Sequence, residues 1–142
     1  MTLLGLLALV DRGVQRELQT RLNAHGLSVA EYSCLRLLQV TPGLSNAELA
    51  RRSLVTPQSM NEVVAKLQLR GLIERRNDPG HGRILRTQLS AAGRAQLDQA
   101  IPEVESLDAE LRGNASDADV AQTTEHLMGV LDRLRMIQQH RP

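Results

Sequence analysis

Gln58, Asn61, Glu62 and Ala65 stand three and four residues apart in the run Thr56-Pro-Gln-Ser-Met-Asn-Glu-Val-Val-Ala-Lys66. Projected at about 100° per residue, Gln58, Glu62 and Ala65 share one arc of a helix, with Asn61 on one flank and Ser59 and Lys66 on the other. Met60, Val63, Val64 and Leu67 fill the opposite arc. The outward arc suits hydrogen bonding to the edges of flat heterocycles. Gln or Asn can bond adenine N6 and N7 together, Glu62 can accept from cytosine N4 or position an arginine, and Ala65 leaves room for a thymine methyl. Each good contact of this kind carries about 1–3 kcal/mol of discrimination between bases. Ser59, Lys66 and Thr56, with Ser45 and Asn46 just upstream, suit phosphate oxygens. The competing reading is an ordinary solvated helix face.

The elements that must hold this arc are marked by caps and periodicity. Ser45-Asn-Ala-Glu48 is a capping box opening a short helix through about Ser53, and Thr56 caps the next, with Pro57 at its first position and Gly71 after its end. Leu72–Arg76 and Arg83–Leu89 are strand-like runs. The turn formers Asn77-Asp-Pro-Gly-His-Gly82 between them predict a hairpin. The order helix, turn, helix, hairpin is a winged helix-turn-helix over 28–89, a device that reads duplex DNA. Arg83, at the end of the hairpin turn, and Arg86, on its second strand, are placed to enter a narrow minor groove, where negative potential is highest; solvated hairpin charges are the alternative.

Upstream, Leu3, Leu7, Val10, Val14, Leu18 and Leu22 mark an amphipathic helix ending near Gly26, and Leu4, Leu6 and Leu9 make its first turns apolar nearly all round. A helix without a polar face wants a partner subunit. Ser28-Val-Ala-Glu31 caps a helix to about Val40. Downstream, Ser90 caps a long helix through about Arg112, which Pro102 should kink or divide, and Ser116 caps a last helix with leucines near heptad spacing. The fold class is mainly α with a small β-hairpin wing, in a single domain 1–142 whose segments 1–26 and 90–142 are dimerisation helices.

Charge supports this division. Residues 51–86 hold eight bases against three acids, residues 1–50 balance at four and four, and residues 87–142 carry five bases against nine acids. The positive charge thus lies on the predicted reading unit, where phosphates require it. One Tyr and no Phe or Trp leave little for stacking unpaired bases, which favours double-stranded DNA over RNA or single strands. One Cys suits a reducing cytoplasm. The apolar start has no basic region before it, no cleavage site after it, and too little length to span a bilayer, so a soluble cytoplasmic protein without membrane contact is expected.

Leu49-Ala-Arg-Arg, Val55-Thr-Pro-Gln-Ser-Met-Asn, Leu67-Gln-Leu-Arg-Gly-Leu-Ile-Glu-Arg, Asp78-Pro and Leu89-Ser-Ala-Ala-Gly93 together resemble the multiple antibiotic resistance regulator (MarR) family. The resemblance covers almost the whole chain, with Leu49–Gly93 its specific part. It implies an obligate homodimer with first, fifth and sixth helices intertwined, reading adjacent half-sites of a pseudo-palindrome. It further implies a repressor released by a small, often aromatic or phenolic, anion bound where helices one, two and five meet. There Tyr32, with Arg12 or Arg16, would supply a hydroxyl and a carboxylate partner; a core tyrosine and solvated arginines are the alternative. Two positions depart from the family pattern. The wing has His81-Gly82-Arg83 where Asp-x-Arg is usual, and Leu54 stands where the turn before the recognition helix usually has Gly, which demands an ordinary backbone there or strain.

Other chemistries find little support. Cys34 shares an arc with Leu35, Leu37 and Leu38, and no cation at helical spacing lowers its pKa, so a buried apolar role is favoured over redox sensing. His25, His81, His126 and His140 form no metal-ligand pattern, and no cofactor is expected. No nucleophile–base pair, phosphate loop or paired carboxylates appear, so no enzyme is expected. The remaining alternative is a helical protein–protein interaction dimer without DNA binding.

Overall fold

Thr2 opens α1 (Leu3–Leu22), its hydroxyl accepting the Gly5 N–H at 3.0 Å. The structure, a computed structural model, describes the backbone of residues 1–142 and every side chain except that of His81. A 3-10 turn at Asn23–His25 follows, and Gly26 (φ 65°) redirects the chain in the left-handed region that glycine enters freely. α2 (Val29–Val40) starts on a complete capping box: the Ser28 hydroxyl accepts the Glu31 N–H and the Glu31 carboxylate accepts the Ser28 N–H, each at 3.0 Å.

α3 (Asn46–Ser53) is capped by Ser45, which accepts the Glu48 N–H at 3.2 Å. The reciprocal half of the expected box is replaced, because the Glu48 carboxylate turns to Arg86 at 3.1 Å. α3 ends at Leu54 with φ 55° and ψ 38°. That left-handed conformation costs a β-carbon residue about 1–2 kcal/mol, so the turn before the recognition helix is strained as the sequence warned. α4 (Pro57–Leu69) follows, with the Thr56 hydroxyl accepting the Ser59 N–H at 3.1 Å and Pro57 in the first turn.

β1 (Ile73–Asp78) and β2 (His81–Leu89) pair antiparallel. Both run closer to the turn than the sequence predicts, because Asp78 builds a tight one: its Oδ1 accepts the Gly80 N–H at 3.0 Å, leaving only Pro79-Gly80 between the strands. Register then jumps, Asp78 opposing His81 and Asn77 opposing Leu85, so Gly82, Arg83 and Ile84 form a bulge. An isolated bridge from Leu44 to Thr87 ties the hairpin to the segment before α3.

α5 (Ala91–Arg112) runs unbroken through Pro102, so the proline does not divide it. The Ser90 hydroxyl accepts the Gly93 N–H at 3.0 Å and donates to the Gly71 carbonyl at 2.6 Å. The chain forms two compact units, Met1–Glu105 and Ser106–Pro142. The first has a leucine-rich core that includes Leu22, Leu35, Leu38, Leu49, Leu67 and Leu97, with Cys34 and Val64 among them. Burial of each such side chain stabilises by roughly 1.5–3 kcal/mol. The second holds the end of α5 and α6 (Asp117–Gln139), whose cap Ser116 accepts the Asp119 N–H at 3.1 Å. α6 buries none of its residues.

Candidate nucleic-acid interface

α4 divides as its spacing predicts. Met60, Val64 and Leu67 are buried against the core, while Gln58, Ser59, Asn61, Glu62, Ala65 and Lys66 are exposed together. Amphipathicity fixes the rotation of this helix: three buried apolar side chains on one arc commit the other arc to solvent. Glu62 forms no ion pair among the described residues, so it is not occupied in positioning an arginine. The Thr56 hydroxyl caps α4 and also donates to the Ser59 hydroxyl at 2.9 Å, which joins two of the expected phosphate ligands at the helix start. Ser45 is engaged as the cap of α3 and, like Asn46, is half-buried.

Asn46 and Asn61 meet across the two helices. The Asn46 side-chain amide donates to the Asn61 carbonyl oxygen at 2.9 Å, and Asn46 in turn accepts from Arg75 on β1 at 3.3 Å. A predicted phosphate ligand and a predicted base reader are therefore one hydrogen-bonded unit. Arg75, the anchor of this unit, carries no mark in the spacing of the chain.

The two wing arginines separate. Arg83, in the bulge, is exposed and has no carboxylate partner among the described residues. Arg86 is a correction to the expected minor-groove pair. Its guanidinium binds the Asp78 carboxylate at 3.0 Å and Glu48 at 3.1 Å, and donates to the Gly43 carbonyl at 3.3 Å. Satisfied on three sides, Arg86 fastens the hairpin to α3 and has little left for DNA. Asp78 therefore serves Arg86 and does not replace the family's wing acid for Arg83; the His81 side chain itself lies outside the described residues. Cations that sequence reading left unassigned, Arg51 and Arg52, are exposed in the last turn of α3 and extend the positive rim.

Tyr32 is 8 % exposed and lines a cavity of about 520 Å³ with Ser33, Arg36, Leu37 and Arg52. Its cations are Arg36 and Arg52, not the expected Arg12 and Arg16, which are exposed on α1 and do not line it. On α1 the buried arc is centred on Leu18 and Leu22, and the two arginines lie off it. Burial pushes the Tyr32 phenol up, with Arg36 opposing and Glu105 adding, so it stays a protonated donor at neutral pH. A second cavity of about 260 Å³ lies between α1, α2 and the start of α4, lined by Gln15, Val29, Ser33, Ser59, Met60 and Val63 among others.

Cys34 is fully buried, and desolvation pushes its thiol up to about 12. A thiol so far from ionising is a core side chain rather than an oxidation sensor. Among the described residues no three His, Cys, Asp or Glu side chains converge as a metal site, and no helix is long and apolar enough to cross a membrane.

Comparison with known proteins places this geometry. A family profile described as MarR family matches residues 25–84. The HTH-type transcriptional repressor Rv2887 of Mycobacterium tuberculosis is 42% identical over 104 residues, 73% of this chain and 75% of that protein. Its crystal structure with DNA superposes with a TM-score of 0.72 at 33% identity, covering 92% of this chain and 98% of that one. Its complex with salicylic acid gives 0.72 at 35%, covering 92% and 96%. The transcriptional regulator BldR of Sulfolobus solfataricus gives 0.84 at 29%, covering 92% and 93%. Two capped helices with a polar outer arc, a bulged hairpin carrying an unpaired arginine, and this degree of likeness lead to one conclusion: the chain belongs to the MarR family of winged helix-turn-helix transcriptional regulators.

Proposed function

We propose that this protein is a cytoplasmic, homodimeric repressor, not an enzyme, that holds a pseudo-palindromic operator and lets go when a small aromatic acid binds. The single observation that carries the reading is the exposed arc of α4, with Gln58, Asn61, Glu62 and Ala65 all open to solvent, in a segment whose cations Arg51, Arg52, Lys66 and Arg83 are exposed as well. Base edges take the arc, phosphates take Ser45, Asn46, Thr56, Ser59 and these cations, and the minor groove takes Arg83. The segments 1–26 and 90–142 serve dimerisation, and 28–89 reads DNA.

The effector belongs beside Tyr32. A carboxylate would pair with Arg36 or Arg52 and a ring would rest on Leu37, with the phenol of Tyr32 donating to the ligand. The salicylic acid complex of the related Rv2887 supports this ligand class. Because Arg52 sits at the end of α3 and Ser53 and Leu54 lead straight into α4, a ligand drawing on Arg52 acts on the element that orients the reading helix. The strained Leu54 turn lies between the two helices, so a ligand that moves the end of α3 would act on α4 through it.

A mobility-shift titration on the DNA upstream of the protein's own coding sequence tests the reading. A specific shift is expected that weakens steeply with salt and is reversed by salicylate. Equal affinity for every duplex, or a shift untouched by any small aromatic acid, would contradict the DNA-reading and effector parts respectively.

A further inference from the structure

We propose that Arg75, acting through Asn46, fixes the Asn61 amide so that it turns its NH₂ donor rather than its oxygen to DNA, selecting guanine or thymine rather than adenine. The inference rests on the DNA-reading role of α4 proposed above. Arg75 projects from β1, and its Nη2 donates to Asn46 Oδ1 at 3.3 Å; Asn46 Nδ2 donates to Asn61 Oδ1 at 2.9 Å.

A guanidinium has N–H donors and no acceptor, so the group that Asn46 turns toward it must be its carbonyl. The Asn46 amino group then faces Asn61, and only the Asn61 oxygen can receive it. Turning either amide over would set donor against donor or acceptor against acceptor. Side-chain amides are ordinarily free to present either end; here one end of the chain of bonds is pinned by a side chain with a single polarity. Arg75 Nε is shielded from solvent and has no partner among the described residues. The guanidinium is therefore already one acceptor short, and releasing Asn46 would cost it a second.

Asn61 Oδ1 keeps a second lone pair, but the bond from Asn46 turns it toward α3, which leaves the NH₂ end of this exposed side chain for a base at the flank of the Gln58–Glu62–Ala65 arc. Guanine presents O6 and N7 to the major groove, both acceptors, and thymine presents O4. Adenine places an N6 donor beside its N7, and cytosine presents an N4 donor; each calls for the oxygen that Asn61 has given to Asn46. Gln58 has no such restraint among the described residues and keeps both ends of its amide. Arg75 is thus a positioning residue for base choice, although it lies on the wing and touches no base.

Selection of bound duplexes from a random library, run with the wild type and three variants, tests this. The base pair that Asn61 reads is the one whose preference disappears in Asn61→Ala. There the wild type should favour guanine or thymine over adenine and cytosine by roughly tenfold. Asn46→Asp offers a carboxylate to both neighbours, so Asn61 turns its NH₂ inward and exposes its oxygen. Preference at that one pair should invert to adenine or cytosine while the other positions keep theirs. An acid in the first turn of α3 is favourable there, so this variant keeps its fold. Arg75→Met should flatten the preference to about twofold or less. The proposal is overturned if the wild type favours adenine at that pair, if Asn61→Ala leaves every preference intact, if Asn46→Asp weakens all sequences alike without changing the choice of base, or if Arg75→Met keeps the wild-type preference. A wild type that selects no sequence at all would instead refute DNA reading itself, and the relay with it.

Discussion

Glu31 shows how one carboxylate can be both buried and charged. It is 9 % exposed, which by itself would raise its pKa, yet the Ser28 backbone N–H and the Arg70 guanidinium at 2.7 Å hold it below the ordinary carboxylate range. Arg70 also donates to the Gly26 carbonyl at 2.7 Å, so one side chain from the end of α4 steadies both the start of α2 and the turn before it. A carboxylate whose folded pKa is depressed contributes stability that is present above its unfolded value, about 4.3, and is lost as pH falls through the folded value. Thermal melts between pH 7 and pH 3 should therefore show acid destabilisation that is visibly shallower in Glu31→Gln. Arg70→Met should cost about 2 kcal/mol at pH 7, because it leaves a shielded carboxylate without its cationic donor, and should flatten the acid limb as well. Identical acid limbs in all three proteins would remove this pair from the origin of the effect.

At the scale of elements, the junction between the wing and α5 has the least slack. A β-carbon built on Gly93 would lie 1.9 Å from the Leu72 carbonyl oxygen, which is backbone and cannot step aside as a long side chain would. Ser90 closes the same junction by bonding Gly71 and Gly93. Gly93→Ala should then lower stability by about 2–3 kcal/mol, read as a reduced urea midpoint with an unchanged slope; an unshifted midpoint would mean that α5 can slide off the wing at no cost. The helices, the caps Ser28, Ser45, Thr56, Ser90 and Ser116, and the buried arc of α4 were legible because their signals are local, repeating every three or four residues. What the sequence did not disclose depends on distant partners. Arg86 meets Glu48 across 38 residues and Arg75 meets Asn46 across 29, and nothing in the spacing of the chain distinguishes these arginines from the exposed Arg83. The full capping box predicted at Ser45 failed for the same reason, since a better-placed cation claimed Glu48 from outside the helix. The cavity beside Tyr32 drew Arg36 and Arg52 for a reason of packing: the leucines of α1 choose which of its faces turns inward, and Arg12 and Arg16 are not on it.

At the scale of the whole molecule, exposed apolar surface lies on α1 and α6, outside the proposed reading unit. Leu3, Leu4, Leu6, Leu9 and Val10 are exposed on α1, and Leu127, Met128, Leu134, Met136 and Ile137 on α6. A helix of 23 residues with none of them fully buried gains little from packing within its own unit. In the proposed homodimer a second copy would cover these faces, and the same symmetry would explain why a reading head of one short helix suffices: two linked heads bind as one ligand, with the second contact made at high effective concentration. Half-sites should then be centred about one helical turn, roughly 10 base pairs, apart or a multiple of that. Stability should depend on protein concentration, the melting temperature falling on dilution because unfolding and dissociation are linked. Leu134→Glu sets a charge on the proposed seam of α6 while leaving the reading helix untouched. Sedimentation should show this variant shifted toward monomer, and its affinity for the full operator should fall by about 10²- to 10⁴-fold, while its affinity for an isolated half-site stays near that of a wild-type head. A variant that remains dimeric, or a monomer that holds the full operator as tightly as the wild type, would show that the apolar face of α6 serves something other than pairing the two heads.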